Sequence, residues 1–190
     1  MIFLVVYGSV RTARQGIRAA RFMVRTLEAR GHEVVLLDAK ELALPLLDRM
    51  YKEWPRGSAP PVLERLAGDI RRADGVVLVT AEYNQSVPPG LANLLDHFLE
   101  EWFWKPSAIV SYSAGSFGGV RAAIQLRIML AELGMPSIPS TLPVPKVRDA
   151  FGEDGTPTDP AWERRTKRFV DELEWYARAL RNERRGGTPY

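Results

Sequence analysis

Residues 76–94 read VVLVTAEYNQSVPPGLANL, and their chemistry changes twice within nineteen positions. Val76 to Thr80 is a short, β-branched apolar run. Such a run fits a strand covered on both faces, as in a parallel sheet. Ala81-Glu82-Tyr83-Asn84-Gln85-Ser86 is polar with one aromatic, and Pro88-Pro89-Gly90 stops regular structure. Leu91, Leu94, Leu95, Phe98 and Trp102 then recur at helical spacing, which predicts a helix running to about Trp102. The stretch is thus strand, polar loop, helix. In open α/β sheets ligands bind at the edge where such loops lie. Tyr83 offers a ring face or edge to a flat heteroaromatic group, and Asn84 and Gln85 each carry an amide donor and acceptor. An isolated loop of this kind is usually ordinary surface; two other stretches shift the balance.

The first follows the opening strand, Ile2 to Tyr7. Gly8-Ser9-Val10-Arg11-Thr12-Ala13-Arg14-Gln15-Gly16 leads into a helix with Ile17, Ala20, Val24 and Leu27 on one face. Hydroxyls of Ser9 and Thr12, the charges of Arg11 and Arg14 and the free N–H groups of a helix start suit a phosphate. Neither GxGxxG nor GxxxxGK[ST] is present, so a dinucleotide fingerprint and a Walker A loop are both missing. The composition points to a mononucleotide, with a solvated βα turn as the plain alternative. The second stretch follows the strand Ser107–Ser111: Ser113-Ala114-Gly115-Ser116-Phe117-Gly118-Gly119-Val120-Arg121. Gly118-Gly119 permits close backbone approach to a ligand, or positive φ in a turn.

The remaining elements complete one pattern. Glu33 to Asp38 is a second strand, Val62 to Ala73 a helix, and Ile124 to Leu133 a helix apolar on much of its surface. A short fifth strand is expected near Ser137–Leu142, and a last helix after Asp159-Pro160, where Asp caps and Pro fits the first turn. Residues 39–57 form a long apolar connection that covers a ligand, a partner or its own domain. Trp102-Phe103-Trp104 is expected to form an apolar patch, with dimerisation preferred over burial beneath a loop. Five strands alternating with five helices predict an α/β doubly wound parallel sheet with helices on both faces. In the order 2-1-3-4-5, the loops after strands 1, 3 and 4 meet at the switch point. One domain over residues 1–183 is expected, with 184–190 frayed.

Composition narrows the chemistry. The chain has 190 residues, 46% hydrophobic and 26% charged, ordinary for a globular protein. There are no cysteines, which excludes disulfides, thiolate metal sites and cysteine nucleophiles and suits a reducing cytoplasm. His32 and His97 are the only histidines and lie far apart, so no histidine-rich metal site is expected. No serine sits in a nucleophile elbow. No apolar run reaches the roughly 18 residues of a membrane span, and the first residues lack the basic start of a signal peptide. The net charge is +3, and residues 161–190 hold eight Lys/Arg against five Asp/Glu, so the excess sits in that segment. The rest is near neutral, which argues against a nucleic-acid surface.

With all three loops in view, the chain resembles the NADPH-dependent FMN reductases, flavodoxin-like quinone, azo-dye and chromate reductases. The matching residues are Gly8-Ser9-Val10-Arg11, then Glu82-Tyr83-Asn84-Gln85-Ser86 with Pro88, Gly90, Leu91, Asn93 and Asp96, then Gly118-Gly119-Val120-Arg121. The resemblance spans roughly residues 1–182. It implies a three-layer αβα sandwich and an FMN site. Ser9, Arg11 and the loop through Arg14, Gln15 and Gly16 would hold the phosphate. Glu82, Tyr83, Asn84 and Gln85 would line the isoalloxazine ring. Ser113, Gly115, Gly118 and Gly119 would approach its other edge. It also implies NADPH or NADH as co-substrate and a quinone, azo compound, flavin or metal oxyanion as acceptor. Hydride transfer to a flavin requires no acid–base residue, so no catalytic side chain is assigned, and the aromatic patch with the apolar fourth helix favours a homodimer or homotetramer. The chain departs from the family where many members carry a serine and an asparagine in the later phosphate loop and it has Arg14, Gln15 and Gly16, and where Ala81 replaces a proline. A flavodoxin-type electron carrier, or a flavin-free module on the same fold, is the alternative.

Overall fold

The computed structural model describes residues 1–190. Five strands form one parallel sheet: β1 (Ile2–Tyr7), β2 (Glu33–Asp38), β3 (Gly75–Ala81), β4 (Ser107–Tyr112) and β5 (Ser137–Val144). Their order is β2-β1-β3-β4-β5, so the chain reverses direction between β1 and β3. The helices are α1 (Ile17–Glu28), α2 (Ala39–Leu42), α3 (Pro61–Arg72), α4 (Pro89–Asp96), α5 (Val120–Glu132), α6 (Val147–Ala150) and α7 (Ala161–Arg184). The four-residue α2 and α6 are additions to the five expected helices.

Strand alternation sorts the core into two layers. Phe3, Val5, Tyr7, Val77, Val79, Val110 and Tyr112 face α1 and α7. Leu4, Val6, Val76, Leu78 and Ile109 face α3, α4 and α5. Every residue of β3 is buried, which explains its unbroken apolar run. Each such Val or Leu contributes about 1.5–3 kcal/mol on leaving water.

Two expectations change. The helix after the central loop ends at Asp96 rather than near Trp102. The carbonyl oxygens that would continue it are engaged elsewhere: Leu95 O accepts from Trp102 Nε1 at 3.1 Å, and His97 O accepts from Tyr51 N at 2.8 Å. The aromatic run is likewise not an exposed patch. Trp102 is fully buried in the core, and the half-buried Phe103 and Trp104 lie against the Tyr190 ring. The exposed apolar stripe lies instead on α5 and the turn before it, where Phe117, Val120, Ile124 and Ile128 are 41–67% exposed.

Candidate functional site

Register carries the three loops to one place. Tyr7 pairs with Val79 across β1 and β3, and Ala81 pairs with Tyr112 across β3 and β4. The loops after these strands therefore leave the same carboxyl edge side by side. They enclose a cleft of about 190 Å³ lined by Ser9, Arg11, Arg14, Gln15, Glu82, Tyr83, Tyr112 and Ser113, with small residues between them. A larger polar cleft of about 690 Å³ lies between residues 51–57, α3 and Glu100-Glu101, and none of the three loops reaches it.

The Tyr112 phenol lines the floor, with the fully buried Tyr7 behind it. The Tyr112 hydroxyl donates to the Tyr7 hydroxyl at 3.4 Å. Burial pushes both above the ordinary tyrosine value, Tyr112 furthest, with the neighbouring Tyr7 adding to its shift. Both therefore stay neutral at any working pH. Tyr112 also explains Gly16: a Cβ there would lie 1.9 Å from the phenol carbon Cζ. The ring fills the space a side chain at position 16 would take.

The first loop opens onto α1. This helix has Gly16 at its N-cap position, with no side-chain cap and no acidic residue in its first turn; Arg18 N bonds Gln15 O at 3.3 Å, which leaves the N–H groups of Ile17 and Ala19 for an anion. Arg11 is exposed and makes no ion pair. Gln15 lines the cleft, and its buried Oε1 has no hydrogen-bond donor. Arg14 is occupied: it pairs with Asp38, reaches Glu41 Oε1 at 3.2 Å, donates to Ser9 O at 3.3 Å and lies over the Tyr7 ring.

The second loop is a two-residue hairpin turn. Tyr83 and Ser86 exchange backbone hydrogen bonds, and Asn84 and Gln85 between them have φ of 51° and 66°. Positive φ at both central residues is the primed turn geometry. It leaves Asn84 and Gln85 exposed at the tip, outside the cleft wall, while Tyr83 stays in it. Glu82 turns toward the third loop. Its carboxylate accepts from Arg121 Nε at 2.7 Å and from the backbone N–H groups of Arg121 and Ala122 at 3.1 and 3.4 Å. Burial raises its pKa, but Arg121 and these N–H groups outweigh it and hold the carboxyl below the ordinary value. Glu82 is thus the cap of α5.

The third loop is held by its own hydroxyl. Ser113 Oγ donates to Gly115 O and accepts from Gly118 N, both at 2.9 Å. Gly118 and Gly119 both adopt positive φ, and they pack on Pro143 and on the Tyr112 backbone respectively. The glycine pair therefore makes the turn into α5; it does not face the cleft.

Of the residues singled out in the sequence, Ser9, Arg11, Arg14, Gln15, Glu82, Tyr83 and Ser113 share one cleft. Gly16 abuts its floor. Asn84, Gln85, Gly115, Gly118 and Gly119 shape the surrounding turns. Sequence reasoning missed Tyr7, Asp38 and Tyr112. Each is the last residue of its strand, so their position at the carboxyl edge was the available signal.

The residues fit a flavin mononucleotide. An uncapped helix start and a free arginine suit its phosphate, and the unpartnered Gln15 oxygen is an acceptor of the kind a ribityl hydroxyl needs.

Residues 1–149 match the family described as NADPH-dependent FMN reductase. A quinone reductase of Pseudomonas putida is 34% identical over 142 residues, 70% of each chain. An NAD(P)H-dependent FMN reductase of Schizosaccharomyces pombe is 33% identical over 159 residues, 76% of this chain and 74% of that one. Among solved structures, the NAD(P)H:acceptor flavoenzyme FerB of Paracoccus denitrificans superposes with a TM-score of 0.71 at 24% identity, over 95% of this chain and 97% of that one. A flavodoxin of Pseudomonas aeruginosa gives 0.55 at 18% identity, over 95% and 99%.

Proposed function

The chain belongs to the NADPH-dependent FMN reductase family, whose members are FMN-dependent oxidoreductases that use NAD(P)H; on that footing we propose that it binds FMN in the three-loop cleft and reduces quinones with NAD(P)H. The observation that carries the reading is the meeting of the open α1 start, the unpaired Arg11 and the unpartnered Gln15 oxygen in one cleft. When bound, FMN supplies the hydride and electron chemistry. The protein's residues hold and orient it. Arg11 and the first N–H groups of α1 hold the phosphate. Gln15 and Ser9 take the ribityl chain, and Tyr83 bounds the ring side. Glu82 keeps the second and third loops in register through Arg121. The Tyr7–Tyr112 pair stays neutral beneath, so no titrating group at the floor competes for the phosphate. At about 190 Å³ the cleft is smaller than the roughly 300–1,000 Å³ usual for ligand sites. Bound there, FMN would take hydride from a nicotinamide and pass the electrons to a quinone.

The exposed stripe of Val120, Ile124 and Ile128 follows directly on the third loop. It supports association of two copies through α5. No helix is long and apolar enough to cross a membrane, and the cysteine-free composition supports a cytoplasmic setting. The test is turnover of protein first stripped of flavin: NADPH or NADH oxidation with a quinone should depend on added FMN and saturate with it. Turnover unaffected by FMN, or none with either nucleotide, contradicts the proposal.

A further inference from the structure

The first loop carries two arginines, and the structure treats them oppositely. Arg14 is only 13% exposed along its side chain. One Nη engages Asp38 and the Ser9 carbonyl, and the other engages Glu41. Three of its five N–H donors are thus engaged within the protein. Two carboxylates face one guanidinium, so this corner carries no net positive charge to offer a phosphate. Asp38 is itself fixed: its carboxylate is 9% exposed and also accepts from Lys40 N at 3.0 Å, capping α2. Arg14 therefore ties the loop after β1 to the carboxyl end of β2, across the sheet. Arg11 has no such partner, stands in solvent and lines the same cleft.

Resting on the reading of the cleft as an FMN site, we infer that Arg14 is a positioning residue that holds the phosphate loop in its binding shape, and that Arg11 alone supplies side-chain charge to the phosphate. The loop is then preformed before the cofactor arrives. The planar fork matters more than the charge, because one guanidinium spans Asp38, Glu41 and Ser9 O and an ammonium does not.

The experiment compares FMN with riboflavin, which lacks the phosphate, in the full chain. Kd for each is read from quenching of flavin fluorescence at several salt concentrations, with amide exchange on the ligand-free protein. Arg11→Gln should weaken FMN about 10- to 100-fold, the range of a charge-assisted hydrogen bond, leave riboflavin unchanged and flatten the salt dependence. Arg14→Gln should weaken both flavins together, keeping their ratio within about threefold of the parent and the salt dependence intact, since only a lost phosphate ligand would change either. Amide exchange should speed at residues 9–15 and 38–41 but not in β3 or α7, where a general loss of structure would also show. Arg14→Lys should behave like Arg14→Gln, and Asp38→Asn should reproduce its exchange pattern. The inference is overturned if Arg14→Gln lowers FMN affinity as far as Arg11→Gln with riboflavin untouched, or if lysine restores it. Failure of the parent protein to bind either flavin overturns the proposed function itself, and this inference with it.

Discussion

Gly16 and Lys105 show what single positions do in this chain. A methyl at Gly16 meets the Tyr112 ring with no room to adjust. Gly16→Ala should therefore cost about 1–3 kcal/mol in urea unfolding and weaken FMN binding. Combined with Tyr112→Leu, the extra cost of Gly16→Ala should largely vanish, and a double-mutant cycle measures that coupling. Additive effects would show that the two residues are not competing for one space. Lys105 is buried, and its Nζ donates to Arg71 O and Ala73 O at the end of α3. Burial lowers its pKa to about 8, with nearby Arg184 pushing the same way and Asp74 opposing. Between the folded value and the unfolded 10.5, the unfolded chain binds more protons. Stability contributed by this group should then rise with pH from about 8 to 10.5, by at most about 3 kcal/mol. Lys105→Met should remove that rise, seen as the difference between the two stability–pH curves; parallel curves would contradict it. At this scale the sequence was only partly legible. Ser9, Arg11 and Tyr83 were visible as chemistry because their loop positions follow from strand ends. Arg14 was visible as a charge but not as a bonded one, because Asp38 and Glu41 reach it only through the pairing of β1 with β2.

Loops and helices are joined by a small number of polar contacts. Glu82 caps α5 across 39 residues of chain, so the second loop fixes the start of the helix behind the third. Glu82→Gln should cost about 1–2 kcal/mol, as lost helix caps do, and speed amide exchange at Arg121 and Ala122. Because this carboxyl titrates below its ordinary value, its contribution is present at neutral pH and lost as pH falls through that lowered value. The parent and variant should therefore converge in stability only in acid; convergence near neutrality would contradict the cap. Asn93 works similarly: its amide accepts from Leu47 N and donates to Pro45 O, both at 2.8 Å, and pins the long apolar connection onto α4. The strands were legible as elements, with β1 and β2 placed to the residue, since buried β-branched runs between polar turns have few other interpretations. The end of α4 was not. Leu91 to Trp102 keeps helical spacing, and the break arises from carbonyl partners, Trp102 and Tyr51, that periodicity does not report.

At the scale of the whole molecule the alternation of strand and helix was legible throughout and predicts the doubly wound sheet; its order, β2-β1-β3-β4-β5, is the flavodoxin-like one that the resemblance implies. Its outer surface was harder to read: Trp102, expected in an apolar surface patch, lies in the core, and Ile124, on a helix apolar over much of its surface, stands in solvent, because only packing decides between the two. If two copies meet through α5, Ile124→Glu with Ile128→Glu should give a monomer in light scattering and leave the fold intact; a parent that is already monomeric would contradict that association. Flavin chemistry in the three-loop cleft underlies every functional role assigned above. The most direct test is the visible spectrum of the protein loaded with FMN and mixed with NADPH without oxygen. The bound-flavin band should bleach on mixing and return when a quinone is added. Bound flavin that stays oxidised with both NADPH and NADH would contradict it.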